Sequence, residues 1–452
     1  MQRHAAADRA GRDALDSEEL VKLLAAMFML GLAGPAAADS MFRVDARHSG
    51  TYEAVGVPVF HHTKWTFRTG GAIVSTPALV GHTLYFGSDD HNFYAVDAVS
   101  GAQQWKFATK GRIRSSPAVA DGRVYFGSYD SNFYALDAAT GALVWKFTTD
   151  GERRFSGAHL HGAEPAAEVM PDPFDVFLSS PAVAKGTVYF GSGDGNVYAL
   201  DAANGTLRWK FLTGNVVHAS PAIAEGILYV GSWDSYFYAL DAASGKEVWR
   251  FKTGVDAAIN NQVGIQSSAT VADGIVYFGC RDAHLYALDA ASGARRWAFP
   301  TDGSWVISSP VVRDGAIYFA TSDSGLVEAL DAKSGTAIFS LDFKHWPFFA
   351  SPTLAGGFLY IGSHTGTVFA IDLKARQVAW EFQTEDARRN SARYAKSDGT
   401  PDYRAAAHDS FYDQLVIGFD RLMSVGAVLS TPVIDGNTLF FGSWDGQLYA
   451  LD

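Results

Sequence analysis

Residues 115–150 read SSPAVADGRVYFGSYDSNFYALDAATGALVWKFTTD. Val124 to Phe126 and Phe133 to Leu136 are short, aromatic-rich apolar runs of strand type, and Gly127 to Asn132 is the turn between them. Asp137 to Gly141 makes a second turn, and Leu143 to Phe147 a further strand carrying Trp145. With Ser115 to Ala120 in front, the stretch predicts four antiparallel strands in about 40 residues, the size of one propeller blade.

Most of the chain repeats this unit. A Ser/Ala-Ser/Thr-Pro step marks the copies at Pro77, Pro117, Pro181, Pro221, Pro310, Pro352 and Pro432, with Ala269 in the matching place of one more. Eight units result, spaced by 40, 64, 40, 48, 41, 42 and 80 residues, so insertions fall near 151–176, 253–264 and 382–427. An Ala-x-Asp-x-x-x-Gly-x-x-x-Trp motif ends in Trp105, Trp145, Trp209, Trp249 and Trp297. The sixth copy ends in Phe339, and the seventh keeps Trp380 but has Arg376 at the glycine position. The eighth breaks off at Asp452, while Thr63 to Phe67 is a spare strand at the other end whose Trp65 fills the missing tryptophan position. The expectation is an all-β, eight-bladed β-propeller of four-stranded antiparallel blades over residues 63–452, its ring closed by the N-terminal strand so that no sheet edge is left open.

This tryptophan-ended repeat resembles that of the pyrroloquinoline quinone (PQQ) repeat propellers, a family that includes quinoprotein alcohol dehydrogenases and the propeller lipoprotein of the bacterial outer-membrane assembly machine. The likeness covers nearly all of 63–452. It implies the propeller fold and, on the enzyme side, PQQ beside a divalent cation such as Ca²⁺; it does not choose between the family's roles.

An aromatic content of 13% with 19% charged residues fits a globular, strand-rich protein. A net charge of −12 without a basic stripe excludes a nucleic-acid partner. Residues 1–38 read as a secretory signal: Lys22 precedes the apolar run Leu23 to Gly34, too short to be retained as a span, and Pro35 to Ala38 ends in an Ala-x-Ala pattern. Residues 1–20 carry five acidic groups, which suits translation starting at Val21. No cysteine follows the apolar run to take a lipid anchor. The expectation is a monomeric periplasmic protein. Residues 39–62, with His48, His61 and His62, carry no repeat and are expected to run over the propeller to its last blade.

Residues present in every copy are turn and packing chemistry, so a site must lie where the copies differ. Each tryptophan should lie between neighbouring blades, burying on the order of 200 Å², or roughly 5 kcal/mol of gross transfer energy. Alternation along the inner strands gives one uniformly apolar set, Phe177 among them, and one variable set facing the channel: Val74, Arg114, Leu178, His218, Gln266, Ile307, Phe349 and Leu429. Arg112, Arg114, His218, Gln266 and Trp305 are thereby candidates for a channel-mouth ligand site, arginine for carboxylates and the indole for a planar ring. All three insertions leave outer strands on one face and should crown one channel opening. They offer Arg153, His159, His161, Asp172 and Asp175, then Asn261, then Arg393, Tyr394 and Arg404. Trp233 and Trp444 lie in the Gly-Ser-x-Asp turns beneath, as exposed aromatic anchors for a partner. His159-x-His161 is too weak a pattern to assign a metal. Residues 403–424 carry a helical apolar stripe that includes Phe419 and Leu422.

Two functions stand. In one, the chain is a non-catalytic binding propeller that takes an envelope protein or a small ligand at its crown. In the other, it is a PQQ-dependent dehydrogenase acting on an alcohol or sugar. The resemblance implies a disulfide between adjacent cysteines over the enzyme's cofactor, and Cys280 is the chain's single cysteine; a Cys-x-x-Cys-His haem motif is also missing. Binding is the favoured expectation.

Overall fold

The computed structural model describes residues 40–160, 167–255, 264–406 and 418–452. Eight sheets form blades 1 to 8 over 78–108, 118–148, 182–212, 222–252, 270–300, 311–342, 353–383 and 433–451. Seven of them supply four antiparallel strands of their own. Blade 8 takes its outer strand from Thr63–Arg68, paired antiparallel with Gln447–Leu451, so the two ends of the ring meet. No helix of the described residues is long and apolar enough to cross a membrane.

The tryptophan motif explains how each blade holds the next. Trp65, Trp105, Trp145, Trp209, Trp249 and Trp297 each donate the indole N–H to the carbonyl of the alanine after the turn Asp of the following blade, at 3.0–3.1 Å. The glycine of that turn lies against the indole. A Cβ on Gly141 would come within 2.6 Å of Trp105, and its φ of +71° independently favours glycine. The two departures from the motif meet at one interface: Arg376, with φ +55°, lies over Phe339 at 5.8 Å.

Around the axis, the Ser/Thr before each repeat proline ties neighbouring blades together. Its backbone N–H donates to the hydroxyl of the matching residue in the next blade, in seven links of 2.9–3.0 Å among the described residues.

Residues 40–62 form a strap across the end of the channel where the inner strands finish. Backbone bonds join Ser40 to Val119, Ala46 to Ile223, Arg47 to Val271, Gly50 to Leu354 and Gly56 to Gly436. Thr51–Tyr52 adds a parallel fifth strand to blade 7. Phe42 reaches the channel, and buried Arg43 donates to the carbonyls of Pro310 and Pro352. The strap also supplies a carbonyl to the indole of blade 7: Trp380 donates to Val57 at 2.7 Å. Buried His48 bonds the Ala269 carbonyl, and His62 pairs with Asp452 at 2.7 Å.

One inner-strand expectation fails. In six blades a glycine packs against a core residue of the segment leading into the next inner strand, as Gly87 does on Ile113. Gly127 instead faces Leu178, and Phe177 joins the cluster at the channel mouth. The alternation has slipped by one residue because the first insertion is drawn into the channel just before it.

Candidate functional site at the channel mouth

Two tiers of side chains surround the channel opening. The lower comes from the segments that lead into the inner strands: Val74, Arg114, Phe177, His218, Gln266, Ile307, Phe349 and Leu429. The upper comes from the variable residue of the Gly-Ser-x-Asp turns and includes Asp89, Tyr129, Trp233, Arg281, His364 and Trp444.

The first insertion plugs this opening. His218 is buried between two of its carboxylates, with Nδ1 2.7 Å from Asp175 and Nε2 2.9 Å from Glu152. Burial alone would lower the imidazole pKa. Asp175 first, and Glu152 behind it, outweigh burial and hold the ring protonated, its pKa pushed up to about 10. Arg114 donates to Asp89 through Nε and Nη2 at 2.6–3.2 Å and to the Val176 carbonyl through Nη1 at 3.2 Å, with its guanidinium 5.1 Å over Trp444. Gln266 donates to the Phe174 carbonyl at 2.9 Å. Arg281 donates to buried Asp172 at 2.7 Å, and its guanidinium lies between the rings of Trp305 at 3.7 Å and Trp233 at 4.7 Å.

Asp172 and Asp175 are both fully buried. A buried carboxylate left unpaired costs several kcal/mol, so the plug can sit here only because Arg281 and His218 wait beneath it. Apolar contacts complete it. Phe155 stacks on Trp233 at 4.4 Å, and Phe174 meets Trp305 at 5.5 Å and Phe419 of the third insertion at 5.2 Å. Phe419 and Leu422 pack into this same cluster. The channel keeps a cavity of about 30 Å³, room for about two waters.

The structure therefore brings Arg114, His218, Gln266 and Trp305 together. Each is engaged by the chain itself. Arg112 is apart from them, exposed at the rim. Trp233 and Trp444 are not the exposed anchors expected: Trp233 is 3% exposed beneath Phe155 and Trp444 half-buried beneath Arg114. Arg153 is exposed and donates to the Gly193 carbonyl at 2.9 Å; His159 and Arg393 are exposed, and Tyr394 is buried. His161, Asn261 and the side chain of Arg404 lie outside the described residues, as do 407–417 of the helical stripe. Sequence reasoning missed Asp89, Tyr129, Arg281 and His364. The signal was present, since the x of Gly-Ser-x-Asp varies from copy to copy as much as the channel-facing set does.

The model of the family described as outer membrane protein assembly factor BamB matches residues 61–171, 165–382 and 300–452. The chain belongs to this family. No curated protein matches it. Among solved structures it resembles BamB from Moraxella catarrhalis, at 16% identity over 86% of this chain and 97% of that one, with a TM-score of 0.61. It also resembles a europium-containing methanol dehydrogenase at 15% identity over 96% and 100%, TM-score 0.66. Quinohemoprotein alcohol dehydrogenase from Comamonas testosteroni is similar at 14% over 94% and 82%, TM-score 0.65. At these identities the structural likeness shows the fold, which the BamB family and the dehydrogenases share.

A quinone cofactor does not fit the mouth of this BamB-family chain as folded. Binding pockets for such molecules hold about 300 Å³ or more. The stacking face on Trp305 is covered by Arg281, and the cations that would meet its carboxylates are held by Asp89, Asp175 and Glu152.

Proposed function

We propose that the chain is an exported, non-catalytic binding propeller of the cell envelope, working in the periplasm as a monomer and docking an envelope protein at the crown of loops over its plugged channel. What carries this reading is the ionic plug: the residues best suited to a cofactor are spent on Asp172, Phe174, Asp175 and Val176 of the chain's own insertion. Membership of a family described by outer-membrane protein assembly supports it. The exposed crown side chains Arg153, His159 and Arg393 are then the surface offered to the partner.

The experiment is crosslinking in intact cells with a photoreactive residue at 153, 159 or 393. The proposal expects one envelope protein captured from these positions and not from the opposite face, at position 99. Equal capture from both faces, or none from the crown, overturns it. The second reading, a PQQ-dependent dehydrogenase, draws on the likeness to the two dehydrogenase structures and requires the plug to withdraw.

A further inference from the structure

Six blades carry the same tie at their upper turn. The Asp of Gly-Ser-x-Asp accepts the hydroxyl of the tyrosine four residues on, from Asp90–Tyr94 to Asp445–Tyr449, at 2.6–2.7 Å. In blades 1 to 5 that Asp also accepts a backbone N–H from the preceding blade's connection, at 2.6–2.9 Å. The tie fills the gap between neighbouring blades.

Blade 7 has every part replaced. Thr365 stands in place of the Asp, Phe369 in place of the tyrosine, and Phe343 where the connection elsewhere has a threonine such as Thr109. The hydroxyl of Thr365 turns to Ser363 and Thr367, and Phe343 packs on Phe369 at 4.6 Å. A cavity of about 570 Å³ opens where the tie would be, walled by Phe343, Phe369 and Trp346 and bordered by residues 392–399 of the third insertion.

Charge is reversed at the same place. The tyrosine's cross-strand partner is Lys106, Lys146, Lys210 or Arg250 in blades 1 to 4, and the ammonium of Lys210 lies 5.9 Å over Tyr198. In blade 7 the partner of Phe369 is Glu381. Cross-strand neighbours share a sheet face, so this carboxylate stands beside the ring. The exposed Glu381 side chain makes no hydrogen bond or ion pair among the described residues; only its backbone pairs, in the ladder. Asp342 adds a second carboxylate at the rim, and Lys344, the cation there, is directed to the Asp398 carbonyl at 3.4 Å.

We propose that this pocket between blades 6 and 7 binds a small organic cation with an apolar body, of the alkylated or aryl-substituted ammonium class, the ligand supplying the positive charge that blades 1 to 4 carry on their own lysine or arginine. Aromatic walls take the apolar body and the ammonium's skirt, and Glu381 takes the charge. The site lies away from the channel plug and stands independently of the docking role proposed above.

Calorimetric titration of the full chain with benzyltrimethylammonium, benzyl alcohol and benzoate tests it. The ammonium should bind at least about tenfold more tightly than the alcohol, and benzoate should not bind. Glu381→Lys, which installs the residue of blades 1 to 3 at an exposed position, should remove the ammonium's advantage without moving Tm. The double substitution Thr365→Asp with Phe369→Tyr should rebuild the tie and lose ammonium binding while remaining folded. Equal affinity for the three probes, no ammonium binding, or undiminished binding by Glu381→Lys would overturn the proposal.

Discussion

The imidazole of His218 lies 2.7 Å from the Asp175 carboxylate, both fully buried, one on the segment leading into blade 4 and the other on an inserted loop. The plug's place in the ring depends on this pair and on its neighbour Glu152. Removing the cation leaves two carboxylates facing each other away from water. His218→Gln should therefore cost about 3–5 kcal/mol in denaturant unfolding, and adding Asp175→Asn and Glu152→Gln should recover much of it.

The same pair sets a pH dependence. The folded pKa of His218, about 10, lies above the unfolded value near 6.5. Its contribution is fully present below about pH 6.5 and is lost as pH rises through about 10. Stability of the wild-type chain should fall across this window by up to about 1.4 kcal/mol per pH unit from this group, and His218→Gln should show a shallower slope. Equal slopes in chemical denaturation at pH 7, 8 and 9 would contradict the assignment.

Arg376 and Phe339 replace glycine and tryptophan on the two sides of one blade interface. Phe339→Trp alone places an indole under the arginine side chain and should lower Tm. Phe339→Trp with Arg376→Gly restores the arrangement of the other blades and relieves a positive φ, worth about 0.5–1 kcal/mol. The double variant should match or exceed the wild type in thermal unfolding; simple additivity of the two single changes would show that the residues are independent.

Residues 40–68 provide the strap and blade 8's outer strand. Deleting them bares the edge of Gln447–Leu451 and opens the lower end of the channel. The product should unfold at lower temperature and self-associate in light scattering. A monomeric deletion of undiminished stability would contradict strand-closed ring architecture.

The fold was legible because each blade repeats its whole set of instructions: Pro before the inner strand, Gly under an indole, Asp in the turn. Trp65 betrayed the closure, since it had a place in the pattern and no blade of its own. The site was less legible. Arg114, His218 and Gln266 emerged from period-two alternation, but Phe177 and Leu178 exchanged roles because Asp172 and Asp175 pull the preceding chain inward, a non-local attraction that alternation cannot express. Asp89, Arg281 and His364 are hard to find because they sit inside a repeated turn, in which Gly, Ser and Asp recur and only the third position varies freely. A place in a turn predicts exposure for Trp233 and Trp444, but Phe155 and Arg114 cover them.

The channel mouth is filled by the chain's own insertion and leaves no room for a quinone. Titration of the purified protein with PQQ in the presence of Ca²⁺, followed by absorbance and thermal shift, tests it most directly. The plugged mouth should give no saturable spectral change and no shift in Tm. Stoichiometric binding accompanied by dye-linked oxidation of an alcohol would contradict it.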